Sequence, residues 1–82
     1  MSNVVIYTTD YCPYCDRAKS LLKNKGVDYD EKMLQTRDEI NELKQRTGMM
    51  TVPQIFINDA PIGGCDDLYA LDEQGRLDSI LK

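Results

Sequence analysis

An apolar run gives way to a cysteine pair in residues 4–15, which read Val-Val-Ile-Tyr-Thr-Thr-Asp-Tyr-Cys-Pro-Tyr-Cys. The β-branched residues predict a short buried strand from Asn3 to Thr8 that ends at a polar break. A helix is expected to begin at Pro13, because proline suits the first helical turn, and to end at Gly26. Its predicted apolar stripe consists of Cys15, Ala18, Leu21 and Leu22. The cysteine pair is therefore predicted at the junction of a strand and a helix.

The central part of the chain predicts one more strand and one more helix. Apolar Val27 and Tyr29 alternate with Asp28 and Asp30, which predicts a second strand near the edge of the sheet. Thr36 and Glu39 have the spacing of a capping box, which predicts a second helix that ends at Gly48.

The last third of the chain predicts a hairpin followed by helices. Strands are expected over Gln54 to Ile57 and over Ala60 to Ile62, with a turn at Asn58-Asp59. Asp66 or Asp67 is expected to cap a further helix, and the segment with Leu77, Ile80 and Leu81 is expected to add a terminal helical turn. The resulting order predicts an α/β fold with a small four-stranded mixed sheet flanked by helices.

Length and charge restrict the function. An 82-residue chain is expected to form one domain over residues 1–82, with an active site in a shallow surface groove rather than in a deep cavity. Ten basic against 14 acidic side chains give a net charge of −4, which argues against nucleic acid as a partner. No run of apolar residues near the N-terminus is long enough for a signal peptide or a membrane span. We therefore expect a cytoplasmic protein with no membrane partner.

The two cysteines of the pair are expected to differ in reactivity. Cys12 occupies or adjoins the helix N-cap, where unpaired backbone N–H groups and the helix dipole favour a thiolate. A free cysteine has a pKa of about 8.5, and values of roughly 3.5 to 7.5 are typical of this arrangement. Cys15 lies one turn into the helix and is expected to be shielded. The pair is thus predicted to consist of an attacking and a resolving thiol.

Other uses of the cysteines are less consistent with the sequence. A zinc site usually needs four ligands, whereas this chain has no histidine and one further thiol, Cys65. A structural disulfide between Cys12 and Cys15 would close too short a loop to stabilise the fold much. An iron–sulfur cluster shared between two chains through Cys12 stays open as an alternative.

Three motifs together carry a resemblance to a known family. They are Cys12-Pro13-Tyr14-Cys15 after the first strand, Thr51-Val52-Pro53-Gln54-Ile55-Phe56-Ile57, and Gly63-Gly64-Cys65-Asp66-Asp67-Leu68. Because these motifs occur in this order and at this spacing, the chain resembles the bacterial dithiol glutaredoxins, close to the glutaredoxin 3 type. The resemblance covers essentially the whole chain.

The resemblance implies a thioredoxin-like fold and a glutathione-dependent thiol–disulfide oxidoreductase with Cys12 and Cys15 as catalytic residues. Such an enzyme reduces protein–glutathione mixed disulfides and protein disulfides. It needs no metal and no tightly bound cofactor, it uses glutathione as cosubstrate, and a monomer is expected. The alternatives are a thioredoxin-like reductase that does not depend on glutathione and a dimeric iron–sulfur carrier.

The resemblance also implies a glutathione-binding groove. The Val52-Pro53 bond is expected to be cis, and the Val52 backbone is expected to pair with the extended ligand. The implied binding residues are Tyr14, Thr51, Val52, Pro53, Gly64, Cys65 and Asp66. The last three would receive the γ-glutamyl end of glutathione at the start of a helix.

Three features of the groove depart from the family or allow a second interpretation. Many members carry a cation just before the cysteine motif, where this chain has Thr9, so Thr9 and Arg37 are weaker candidates for binding the glycyl carboxylate. Asp67 is a further weaker candidate, and capping of the last helix is an alternative interpretation of both Asp66 and Asp67 that is compatible with binding. Cys65 is interpreted either as a modification site or as a small residue beside the groove.

Overall fold

The computed structural model describes residues 3–49 and 51–81. These residues form four strands and four helices: β1 at Val4–Thr8, α1 at Pro13–Asn24, β2 at Asp30–Met33, α2 at Arg37–Thr47, β3 at Gln54–Ile57, β4 at Ala60–Gly63, α3 at Cys65–Glu73 and α4 at Leu77–Leu81. The longest, α1, has 12 residues, and no helix in these two ranges is long and apolar enough to cross a bilayer.

The strands form one mixed sheet in the order β2-β1-β3-β4. β1 runs parallel to β2 and antiparallel to β3, and β3 and β4 form an antiparallel hairpin. Asn58 and Asp59 at the hairpin turn have φ values of 52° and 67°, as a two-residue turn compatible with strand twist requires. The predicted sheet, its parallel pair and its hairpin are thereby confirmed.

The two faces of the sheet are covered by different helices. Val4 and Ile6 of β1 are buried in one apolar cluster with the inner faces of α1 and α3. The members of that cluster are Val4, Ile6, Ala18, Leu21, Leu22, Ile55, Ile57, Cys65, Leu68 and Leu77. On the opposite face, the guanidinium of Arg46 from α2 lies 5.9 Å from the centroid of the Tyr7 ring.

The ends of α2 follow the sequence prediction. The Thr36 hydroxyl accepts a hydrogen bond from the backbone N–H of Glu39 at 3.1 Å, which begins the helix. Gly48 ends it in the left-handed conformation with φ 76°.

The second strand lies elsewhere than predicted. It covers Asp30–Met33 at an edge of the sheet, and all four of its residues are exposed. Val27 and Tyr29 instead lie in the preceding connection, where they pack against the core from outside the sheet. Their apolar alternation therefore reflects packing on the core and not pairing with β1. The predicted edge position is correct, but of the predicted strand residues Asp30 alone lies in β2, and the prediction was wrong for the other three.

Polar contacts stabilise β2 against β1 and α1. The buried hydroxyl of Thr8 donates to a Glu31 carboxylate oxygen at 2.8 Å, and Lys19 of α1 lies 3.0 Å from the same oxygen. These contacts lower the pKa of the Glu31 carboxyl, chiefly through the Thr8 hydrogen bond and then through Lys19.

Candidate active site

Cys12 occupies the N-cap of α1. Its backbone is extended, with φ −114° and ψ 94°, and its Sγ accepts the backbone N–H of Cys15 at 3.1 Å. Pro13 fills the first helical position, where the missing N–H would have had no partner in the helix. The N–H donor and the positive end of the helix dipole both stabilise negative charge on this sulfur once the protein is reduced. The predicted position of Cys12 is confirmed.

Cys12 and Cys15 form a disulfide in this structure, with their Cα atoms 5.2 Å apart. Cys15 is 1% exposed, whereas Cys12 is half-buried. An incoming disulfide therefore reaches Cys12 and not Cys15, which agrees with the predicted roles of attacking and resolving thiol. No group of three His, Cys, Asp or Glu side chains within 3–49 and 51–81 is placed to hold a metal ion.

A groove of about 300 Å³ lies beside the start of α1. Its lining residues are Tyr14, Thr51, Val52, Pro53, Gly64, Cys65, Asp66 and Asp67. These are all seven residues expected to bind glutathione, together with the weaker candidate Asp67. Cys12 is outside the lining but precedes Tyr14 by two residues. Thr9 and Arg37, the two other weaker candidates, do not line this groove.

The loop that carries Thr51 and Val52 is fixed by a buried amide. The Val52-Pro53 bond is cis, as the resemblance implied, and Gln54 follows with a fully buried side chain. The Gln54 Oε1 lies 2.9 Å from the Thr47 hydroxyl, and its Nε2 donates to the Met49 carbonyl at 3.0 Å. Gln54 thus ties the end of α2 to the loop beside the groove. Sequence reasoning missed this role, although a polar residue at the head of an apolar strand was visible.

The other wall of the groove is the start of α3. Its N-cap is Gly64, whose N–H donates to Asp67 Oδ2 at 3.0 Å, and this carboxylate packs so closely on Gly63 that a Cβ there would collide with it. Gly63 also has a φ of 118°, which glycine adopts readily. The prediction that Asp66 or Asp67 caps the helix holds for Asp67. Asp66 lies exposed in the first turn, on the groove.

Cys65 differs in character from Cys12. It is 5% exposed, and burial together with the nearby charge of Asp66 raises the pKa of its thiol, while Arg17 opposes that shift. Cys65 is therefore a protonated, shielded thiol at neutral pH.

One cation near the groove was missed by sequence reasoning. The Arg17 guanidinium lies 5.8 Å from the centroid of the Tyr14 ring. The backbone carbonyl of Arg17 accepts the Tyr69 hydroxyl at 3.2 Å, which links α1 to α3. The available signal was spacing, because Tyr14 and Arg17 are three residues apart and so share one face of the helix.

Comparison with known proteins decides the family. The glutaredoxin family model matches residues 4–62. The chain is also 54% identical over 83 residues to glutaredoxin 3 of Escherichia coli strain K12, with 100% of both chains covered. This chain belongs to the glutaredoxin family. It is a glutathione-dependent disulfide oxidoreductase whose redox-active pair is Cys12 and Cys15.

Further relatives agree with this assignment. A glutaredoxin of Pseudomonas aeruginosa is 52% identical over 82 residues, covering 99% of this glutaredoxin and 98% of that one. The crystal structure of a buckwheat glutaredoxin–glutathione complex matches with a TM-score of 0.89 at 36% identity, covering 98% of this chain and 76% of that chain. The solution structure of a glutaredoxin from Brucella melitensis matches with a TM-score of 0.82 at 49% identity, covering 98% of this chain and 88% of that chain. The thioredoxin-like fold implied by the sequence motifs is confirmed.

Proposed function

We propose that this glutaredoxin reduces protein–glutathione mixed disulfides and protein disulfides, with glutathione as cosubstrate. The observation that carries the proposal is the position of Cys12, whose sulfur accepts the Cys15 N–H at the start of α1 beside a groove lined by the predicted binding residues. A nucleophile favoured as thiolate and a neighbouring site for the glutathionyl group are what thiol–disulfide exchange requires.

Reduction of a glutathionylated protein needs one enzyme thiol. The Cys12 thiolate attacks the glutathione sulfur, the bond between the two substrate sulfurs breaks, and the protein leaves as a thiolate that takes a proton from water. Glutathione is then covalently attached to Cys12. A second glutathione thiolate attacks the bound glutathione sulfur, which releases glutathione disulfide and restores the Cys12 thiolate.

Reduction of a protein disulfide needs both thiols. After Cys12 has attacked, a mixed disulfide joins it to the substrate. The Cys15 sulfur, having lost its proton, attacks Cys12 Sγ and expels the second substrate thiolate, which leaves the Cys12–Cys15 disulfide seen here. Two glutathione molecules then reduce this disulfide.

The lining of the groove supports a particular orientation of glutathione. Its extended backbone would pair with the main chain of Val52, with Thr51, Pro53 and Tyr14 around it. Its γ-glutamyl end would lie at the start of α3, where backbone N–H groups of the first turn would donate to its carboxylate and the Asp66 carboxylate would accept from its ammonium group. The similarity to the buckwheat glutaredoxin–glutathione complex supports this assignment.

Two cysteine variants test the division of roles. Cys12→Ser should abolish reduction of both substrate types, whereas Cys15→Ser should still reduce a glutathionylated protein but not a protein disulfide. Ser79→Ala, an exposed position on α4, serves as the control. Equal loss in both cysteine variants would overturn the mechanism. If thioredoxin reductase supported turnover as efficiently as glutathione does, the proposed dependence on glutathione would be overturned.

A further inference from the structure

Arg17 is a cation beside the groove residue Tyr14, although it does not itself line the groove. No carboxylate forms a salt bridge with it among the residues that the structure describes, although Lys19 and Lys25 of the same helix region are each paired with acidic side chains. Its side chain is held beside Tyr14, 5.8 Å from the ring centroid. The guanidinium is thus positioned beside an aromatic ring.

The charge of Arg17 acts on the α3 side of the groove. Tyr14 and Cys65 both line the groove, and the charge of Arg17 is close enough to Cys65 to favour its thiolate form. The hydrogen bond from Tyr69 to the Arg17 carbonyl fixes this part of α1 against α3. The guanidinium therefore lies near the groove end that begins α3.

We propose that Arg17 binds the α-carboxylate of the γ-glutamyl group when a glutathionyl ligand occupies the groove. The inference rests on the proposed function, since it assigns one more contact to the same ligand. A guanidinium binds carboxylate with directed N–H donors, and here it adds a side-chain cation to the backbone N–H groups at the start of α3. Asp66 at the same end accepts the ligand ammonium, so the two ends of the amino-acid zwitterion have separate partners.

The chemistry of the groove favours this carboxylate over the glycyl one. The resemblance places the glycyl end near the segment before the cysteine motif and near α2, where this chain has Thr9 and Arg37. Arg17 lies beside Tyr14, and its charge acts on Cys65 at the start of α3. The two carboxylates of glutathione can be separated experimentally, because the glycyl carboxyl alone can be esterified.

The test measures binding of two unreactive ligands to the oxidised protein by titration calorimetry. The ligands are S-methylglutathione and its glycine ethyl ester, and the proteins are wild type, Arg17→Gln, Arg17→Lys and Arg76→Gln. Arg76 is an exposed arginine in the connection between α3 and α4, so its variant controls for the loss of one positive charge.

Arg17→Gln should weaken the binding of both ligands by the same factor. At low ionic strength this factor should be about threefold to fivefold, which is the upper part of the range for an exposed ion pair. The factor should fall below about twofold at 0.5 M salt, because exposed charges are then screened. Arg17→Lys should lose less affinity than Arg17→Gln, and Arg76→Gln should bind both ligands with the affinity of the wild type.

Three outcomes would overturn the inference. They are unchanged binding in Arg17→Gln, a loss confined to the ligand with a free glycyl carboxylate, and an equal loss in Arg76→Gln. Failure of the wild type to bind either ligand would instead contradict the proposed function, so the two failures are distinguishable.

Discussion

Replacing Gln54 with leucine removes the buried amide that ties α2 to the groove loop. Leucine has a similar volume but cannot donate to the Met49 carbonyl, which lies 3.0 Å from Gln54 Nε2. The Thr47 hydroxyl keeps two partners, the Leu43 carbonyl at 3.0 Å and the Met49 N–H at 3.2 Å. The main cost is therefore one part-buried carbonyl left without a donor.

That cost can be estimated from the hydrogen bonds lost. An unsatisfied buried polar group costs about 1–3 kcal/mol, so we expect a loss of about 2 kcal/mol in the free energy of unfolding. For a chain of this length, 1 kcal/mol corresponds to roughly 4–8 °C in Tm, which gives a decrease of about 10 °C. Because the loop beside Gln54 carries Thr51 and Val52, S-methylglutathione should also bind more weakly.

Thermal unfolding and ligand titration of the oxidised protein check this expectation. Gln74→Leu is the matched control, because Gln74 is exposed at the end of α3. Combining Gln54→Leu with Thr47→Val should cost less than the sum of the two single changes, since both break the same contact. The reasoning is refuted if Gln54→Leu unfolds at the wild-type temperature, or if it loses stability while binding the ligand with unchanged affinity.

Two other predictions concern ionisable groups. Thr8 and Lys19 lower the pKa of Glu31, so its carboxylate stabilises the fold above the unfolded pKa of about 4.3 and this contribution disappears as pH falls through the lower, folded pKa. In urea unfolding, Glu31→Gln should be less stable than wild type at pH 7 by about 0.5–1 kcal/mol, and this difference in stability should disappear in acid. Glu73→Gln is the control, and a stability difference that does not depend on pH would contradict the prediction. Burial and Asp66 raise the pKa of Cys65, so iodoacetamide at pH 7 should label Cys12 of the reduced protein long before Cys65. Equal labelling rates followed by peptide mass spectrometry would show that the Cys65 thiol is not shielded.

The sequence predicts the elements whose apolar residues face one common core. β1 and α1 were predictable because Val4, Ile6, Ala18 and Leu22 repeat at strand and helix spacing and all pack in the same cluster. β2 was not predictable in this way. Its residues are exposed, and its position depends on contacts of Glu31 with Thr8 and Lys19, which are 23 and 12 residues away in the sequence.

The residues of the candidate site also divide into those that the sequence predicts and those that it does not. Cys12 was predictable because an N-cap position follows from local sequence, and the groove residues followed from motifs resembling those of a family. The supporting contacts are not local. Gln54 acts through Thr47 and Met49, and Arg17 takes its place beside the groove through the packing of α1 against α3.

Trapping the covalent intermediate shows whether Cys12 is the nucleophile that accepts the glutathionyl group. Cys15→Ser is reduced, mixed with a stoichiometric amount of a glutathionylated peptide, quenched with acid and analysed by intact and peptide mass spectrometry. We expect one glutathione per protein, attached to Cys12, with the peptide released as a free thiol. Attachment to Cys65, or a mixed disulfide between Cys12 and the peptide in place of glutathione, would contradict it.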